Sequence, residues 1–158
     1  MKIDISTNFH MASFPSKIAS MNGNYAHVYN IVITDNTVDN GQLCGRGDYV
    51  SFDQYEQDTL PNGFAGVITE ASKAHPGYWY VEVTALPTAE VLYMYNSAVS
   101  EYAERELKDE RLFVNEKNDV CQGARLMIGD VFEISTEGFN GTPSAGNAVT
   151  YANGKYVI

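Results

Sequence analysis

Basic residues are scarce in this chain: 10 Lys and Arg stand against 20 Asp and Glu, for a formal net charge of −10. A surface of that sign repels phosphate backbones and anionic headgroups, so no nucleic acid and no membrane is expected among its partners. Cysteine is scarcer still. Cys44 and Cys121 are too few for a disulfide scaffold and lack the close spacing of a metal knuckle, so both are expected as reduced thiols packed in the core. Long apolar runs are missing too. No stretch is fit to cross a bilayer, and Asp4 with its polar neighbours interrupts the N-terminus before a signal-peptide core can form. Synthesis in a cytoplasm is the expectation.

The patterns that carry chemistry are also absent from the sequence. His10, His27 and His75 lie in separate segments with no metal-ligand spacing between them. Asp35-x-Thr37-x-Asp39 begins like a calcium loop, yet Asn40 stands in the glycine place and Arg46 in that of the bidentate glutamate. There is no phosphate-binding glycine loop and no Gly-x-Ser-x-Gly elbow. Arg46–Gly47–Asp48 spells an integrin-binding tripeptide, but it runs straight into Tyr49–Val50 and is better read as a turn. No catalytic residue, metal or cofactor is assigned, and a non-enzymatic protein is expected.

What the chain does contain is strand-forming sequence cut by glycine corners. Gly45–Arg46–Gly47–Asp48–Tyr49–Val50–Ser51–Phe52 and Arg125–Leu126–Met127–Ile128–Gly129–Asp130–Val131–Phe132–Glu133–Ile134–Ser135 share one shape. In each, glycine lets the chain turn, aspartate bonds nearby backbone N–H groups, and the side chains then alternate between faces. Gly47, Asp48, Gly129 and Asp130 are therefore read as structural turns, with Val50 and Phe52 sharing one face and Phe132 and Ile134 another. The β-branched run from Tyr25 to Thr34 predicts a strand in a hairpin with Leu43–Cys44. Gln54 to Pro61 reads as a polar connection. Gly63–Glu70 and Tyr78–Val83 predict strands flanking a turn at Pro76–Gly77, and Asn153–Gly154 predicts a tight closing hairpin. Trp79, the single tryptophan, is expected in the core or an interface. One helix is expected over Ser97–Arg111, where Val99, Tyr102, Ala103 and Leu107 share a face.

Residues 1–24 have no sustained period of either kind. They read as a partly ordered terminus or as an extended arm that orders on a partner, and the arm is the reading taken forward. Phe9, Phe14 and Ile18 would be its anchors, and folding would not depend on it. The division is thus an arm at 1–24 and a single β-rich domain at 25–158. The expected fold is mainly β: a small β-barrel or sandwich with one helix, preceded by the extended N-terminal arm.

Three phrases, in order, carry a resemblance: Asn40–Gly41-x-Leu43-x3-Gly47–Asp48–Tyr49–Val50; Gly77-x-Trp79-x-Val81-x-Val83; and Arg125–Leu126-x2-Gly129–Asp130-x-Phe132-x-Ile134–Ser135. A closing segment follows, Gly138–Phe139 through Thr142–Pro143-x2-Gly146-x2-Val149–Thr150 to Gly154–Lys155. From Tyr29 to Ile158 the chain resembles the head-decoration, auxiliary capsid or head-fibre-like structural proteins of tailed bacteriophages. The resemblance implies a non-enzymatic virion protein on the outer surface of the assembled capsid, made in the host cytoplasm. Its partner would be the major capsid protein, with a second copy or a fibre protein as further partners. Two other readings stay open: a tail or neck adaptor, and a small glycan-binding domain with an aromatic site around Trp79 and Tyr80.

Overall fold

The computed structural model describes residues 2–4, 8–22, 27–96 and 109–158. Fifteen strands account for most of that chain: β1 (Lys2–Ile3), β2 (Ser13–Lys17), β3 (Val28–Val32), β4 (Thr37–Val38), β5 (Leu43–Tyr49), β6 (Gln54–Asp58), β7 (Ala65–Ala71), β8 (Tyr78–Ala85), β9 (Leu92–Tyr95), β10 (Phe113–Glu116), β11 (Val120–Arg125), β12 (Val131–Ser135), β13 (Phe139–Asn140), β14 (Ala148–Ala152) and β15 (Lys155–Val157). The fold is mainly β and contains a closed barrel, in the order β11-β3-β6-β5-β9. A seven-stranded sheet, β13-β15-β14-β7-β8-β12-β2, packs beside it, and β1-β10-β4 forms a small third sheet. The helix expected over 97–111 falls largely outside the described residues. Where the described chain resumes there is a 3-10 turn, Glu110–Leu112, capped by the Asp109 carboxylate, which accepts from the Arg111 N–H.

Alternation along the barrel strands divides the interior in two. Ile31, Cys44, Leu92, Met94 and Cys121 point into the barrel with Ile33 and Val38. Their neighbours Leu43, Tyr93 and Ala124 point outward and meet Ile68, Val81, Phe132, Ile134, Val149 and Tyr156 of the seven-stranded sheet. The larger core is therefore the layer between barrel and sheet. Tyrosine hydroxyls bond across it: Tyr156 donates to the Gly41 carbonyl at 2.7 Å, and Tyr151 accepts from the Leu43 N–H at 3.1 Å.

Several expected elements are present. β7 and β8 pair antiparallel across the Gly77 turn. β14 and β15 form the closing hairpin, with Asn153 at φ 52° and Gly154 at φ 75°. At the second glycine corner Gly129 has φ 95°, and Asp130 accepts from the Ala19 and Met127 N–H groups at 3.1 and 2.8 Å. The first corner is different. Gly47 and Asp48 lie inside β5, and a Cβ on Gly47 would meet the Glu56 carbonyl oxygen at 2.7 Å. Glycine is needed there for the close approach of β6, not for a turn. The hairpin expected between the Tyr25–Thr34 run and Leu43–Cys44 does not form either. β3 instead pairs antiparallel with β11 and parallel with β6, which closes the barrel. The polar connection expected from Gln54 contains β6, held by pairing on both sides although its sequence lacks apolar alternation.

The described part of the N-terminal segment includes an extended strand, β2, and a 3-10 turn at Ala19–Met21, and the fold uses both. β2 is an edge strand of the seven-stranded sheet, paired with β12. Met11, Ala12 and Ile18 are buried, and the Ala12 N–H donates to Ser135 Oγ at 2.9 Å. The expectation that folding ignores this segment is corrected by those contacts, because Met11 and Ile18 each fill space in the larger core.

Two predictions follow from the corner and the thiols. Gly129→Val should lower stability by about 1 kcal/mol or more, because a β-branched residue is strained at that φ. Nothing lies within 4 Å of a Cβ there, so Gly129→Asn should cost clearly less; equal melting of the valine variant and the parent would overturn the reading of the corner. Cys44 and Cys121 are free and buried, and burial pushes the Cys121 thiol up to about 12. Burial likewise raises Cys44, Tyr93 and Tyr156. The folded state holds these protons more tightly than the unfolded chain. The stabilisation is therefore complete below roughly pH 8.5 and is withdrawn as pH rises toward 12. Native protein at neutral pH should resist thiol labelling, denatured protein should label at both cysteines, and melting temperature should fall steadily above about pH 9.

Candidate functional site

The strand directions place several loops together. β3 runs antiparallel to β11 and parallel to β6, while β5 runs antiparallel to β6 and to β9. The end of β5, the starts of β3, β6 and β9 and the end of β11 thus share one end of the barrel. Two apolar loops emerge there. The β5–β6 hairpin exposes Tyr49, Val50 and Phe52, and the corner between β11 and β12 exposes Met127 and Ile128. Phe52 is 87% exposed and Ile128 69%. Val50 and Phe52 were expected on a strand face; instead the chain reverses at Phe52.

That reversal is a tight turn. The Gln54 N–H donates to the Ser51 carbonyl at 2.9 Å, and both central residues are left-handed, Phe52 at φ 51° and Asp53 at φ 58°. A second bond, from the Val50 N–H to the Gln54 carbonyl at 2.8 Å, closes the base. Residues without a bulky ring suit such positions, and a large aromatic there costs on the order of 1–3 kcal/mol.

Below the tip, a stack of rings and charges fixes the hairpin to the barrel wall. The Arg46 guanidinium lies 4.8 Å from the Tyr29 ring centroid and 5.1 Å from that of Tyr55. Tyr55 meets Tyr29 and Tyr49 edge to face at 5.5 and 5.6 Å. Glu90 takes the cation from the other side, with Oε2 3.4 Å from Arg46 Nε, and Oε1 accepts the Tyr29 hydroxyl at 3.2 Å. Burial, followed by the Glu90 charge, raises the Tyr29 hydroxyl above its ordinary pKa, so it stays a donor. Cation–π pairs of this kind contribute about 0.5–1 kcal/mol each near a surface. Around the tip Asp48, Asp53 and Glu56 are exposed. The surface can bind, by burying apolar side chains beside exposed carboxylates.

Two other places gather polar groups. On the outer face of β12, buried Glu133 accepts from the Ser72 hydroxyl, and its Oε2 lies 3.1 Å from His75 Nδ1. The carboxylate, not the imidazole, is the central member, so the order of groups is not that of a serine–histidine–carboxylate triad. An open cleft of about 710 Å³ lies between the β6–β7 connection and the closing hairpin, walled by Gln42, Gln57, Asp58, Asn62 and Tyr151. Among the described residues no group of three or more His, Cys, Asp or Glu is placed to hold a metal ion. Asp35 and Asp39 are engaged internally: Asp35 accepts from Gln57 Nε2 at 2.9 Å, and Asp39 meets His10 Nδ1 at 2.9 Å.

The three proposed anchors of the N-terminal segment are not brought together. Ile18 is 1% exposed and belongs to the larger core, which removes it as an anchor. Phe14 stacks on His75 at 4.4 Å and lies 5.4 Å from Tyr78. Phe9 alone is exposed, under the Arg111 guanidinium at 4.2 Å. Trp79 pairs with Ile134 and packs on the core, whereas Tyr80 pairs with Glu133 on the other face of the sheet, so the two rings do not form one platform. Comparison with protein-family models, with curated proteins and with solved structures finds no match to this chain.

Phe52→Asn tests the strain at the tip. Asparagine tolerates the left-handed region, and the ring it replaces packs on little, so the variant should melt at or above the parent, by up to about 2–4 °C. A drop of several degrees in a thermal melt would mean that the ring supports the fold.

Proposed function

We propose that this chain is a non-enzymatic virion structural protein that attaches to the outer surface of an assembled phage capsid and decorates or reinforces it, with the major capsid protein as partner. The observation that carries this reading is the exposure of five apolar side chains at one barrel end, on a β scaffold whose other large side chains are mostly buried. The resemblance of the 29–158 phrases to head-decoration proteins supplies the identity of the partner. The charge agrees with it: a domain of net charge −10 is repelled by packaged DNA and belongs outside the shell. A surface of a few side chains binds weakly as one copy. Many copies on a repeating lattice convert such contacts into stable attachment.

Co-sedimentation of the full chain with purified undecorated shells is the test, together with mass spectrometry of purified particles. Saturable binding and a copy number in the hundreds are expected. A dozen copies per particle would favour a tail or neck adaptor, and failure to bind shells would overturn the proposal.

A further inference from the structure

Among the described residues one turn geometry occurs twice, with opposite chemistry. At the closing hairpin the left-handed pair is Asn153–Gly154, the residues that such a turn favours. At the β5–β6 hairpin the same two positions hold Phe52 and Asp53. A bulky ring in left-handed backbone is costly, and this ring gains little within the chain, being 87% exposed. Strained residues persist where the surroundings over-determine them and where the strain serves a purpose. Here the surroundings are the two closing backbone bonds and the Arg46 stack.

We propose that Phe52 is a preformed docking anchor, and that the site receiving it on the shell surface is an apolar pocket ringed by Lys or Arg. This rests on the capsid reading above. The ring projects from the end of a hairpin, so it can enter a concavity that the flat wall of a barrel cannot reach. Val50 and Tyr49 follow it as the collar, and both are exposed. Around the tip Asp48, Asp53 and Glu56 are exposed, and two cations of this barrel end, Arg46 and Arg125, both turn onto Glu90, at 3.4 and 3.9 Å. An anchor rimmed by three carboxylates selects a basic rim and rejects an acidic one, which is also what keeps two copies of this protein from docking tip to tip. Because the hairpin is held before contact, little conformational freedom is lost on binding.

The experiment uses full-length protein and undecorated shells, with binding isotherms by co-sedimentation at low and high salt. Phe52→Asn should weaken binding tenfold or more while melting no lower than the parent. The pair Asp48→Asn with Glu56→Gln should weaken it severalfold and flatten its salt dependence. Val120→Ser, an exposed apolar residue at the opposite end of the barrel, should bind as the parent does. Parent-like binding by Phe52→Asn would overturn the anchor and leave the capsid reading standing. No binding by the parent protein would overturn the capsid reading itself. Binding that strengthens with salt would overturn the basic rim, and self-association of the isolated protein that vanishes in Phe52→Asn would assign the tip to a second copy instead.

Discussion

The hydroxyl of Tyr93 is the point at which the parts of this molecule are joined. Tyr93 sits on β9, the strand that pairs with both β5 and β11 and so closes the barrel. Its ring leaves the barrel wall and packs on Phe132 of the seven-stranded sheet at 5.1 Å. Its oxygen is 2.6 Å from Ser13 Oγ, which donates its single proton to the Glu133 carbonyl at 2.7 Å. Tyr93 is therefore the donor to Ser13, and burial, which raises its pKa, keeps the proton in place. Barrel, sheet and N-terminal segment meet in one chain of two bonds. Leaving any member of it unpaired inside the core would cost about 1–3 kcal/mol, so the three parts stand or fall together.

This junction also accounts for the abundance of tyrosine. A residue with a wide ring and a polar tip suits an exposed interface and a buried layer equally well, and composition cannot distinguish the two. The space between barrel and sheet needs wide side chains, yet it is bounded by the turn at Gly41 and the start of β5, where backbone groups face it. Tyr156 on the Gly41 carbonyl and Tyr151 on the Leu43 N–H fill the space and satisfy those groups together. Once these rings are accounted for inside, the large apolar side chains left outside form a short list, and five of them share one end of the barrel.

Local chemistry was legible in the sequence and non-local pairing was not. Asn153–Gly154, the turn at Gly77 and the Gly129–Asp130 corner are set by residues a few positions apart, and each is found as read. So are the mainly β fold and the two buried thiols. The barrel depends on β3 pairing parallel with β6, whose Gln-Tyr-Glu-Gln-Asp sequence has no apolar alternation to announce a strand. Gly47 reads as a turn because glycine's two uses, turning and close approach, look alike in sequence; only the Glu56 carbonyl beside it decides. Ile18 was read as exposed because its segment lacks periodicity, but an edge strand bordered by irregular chain can bury single side chains without any. Val50-Ser51-Phe52 presents the alternation of a strand. The register of β5 on β6 turns it into a hairpin tip, and no residue within the triplet encodes that register.

The proposed attachment through a rigid hairpin would differ in its energetics from attachment through an arm that orders on contact. An arm that orders on contact gives up about 1–2 kcal/mol of backbone entropy for every residue fixed, which can consume the gain from a few buried side chains. The β5–β6 tip has incurred that cost during folding, because barrel pairing on β6, the closing bonds at Ser51 and Gln54 and the Arg46 stack all exist in the unbound protein. Its ring can then contribute most of its burial to binding, about 1.5–3 kcal/mol, at each contact. For a protein that would act as many copies, each on a small interface, that difference is multiplied across the lattice. The strain at Phe52 is reasonable on the same terms: it is a fixed cost to the isolated fold, borne once, that would hold the proposed anchor in one orientation before contact.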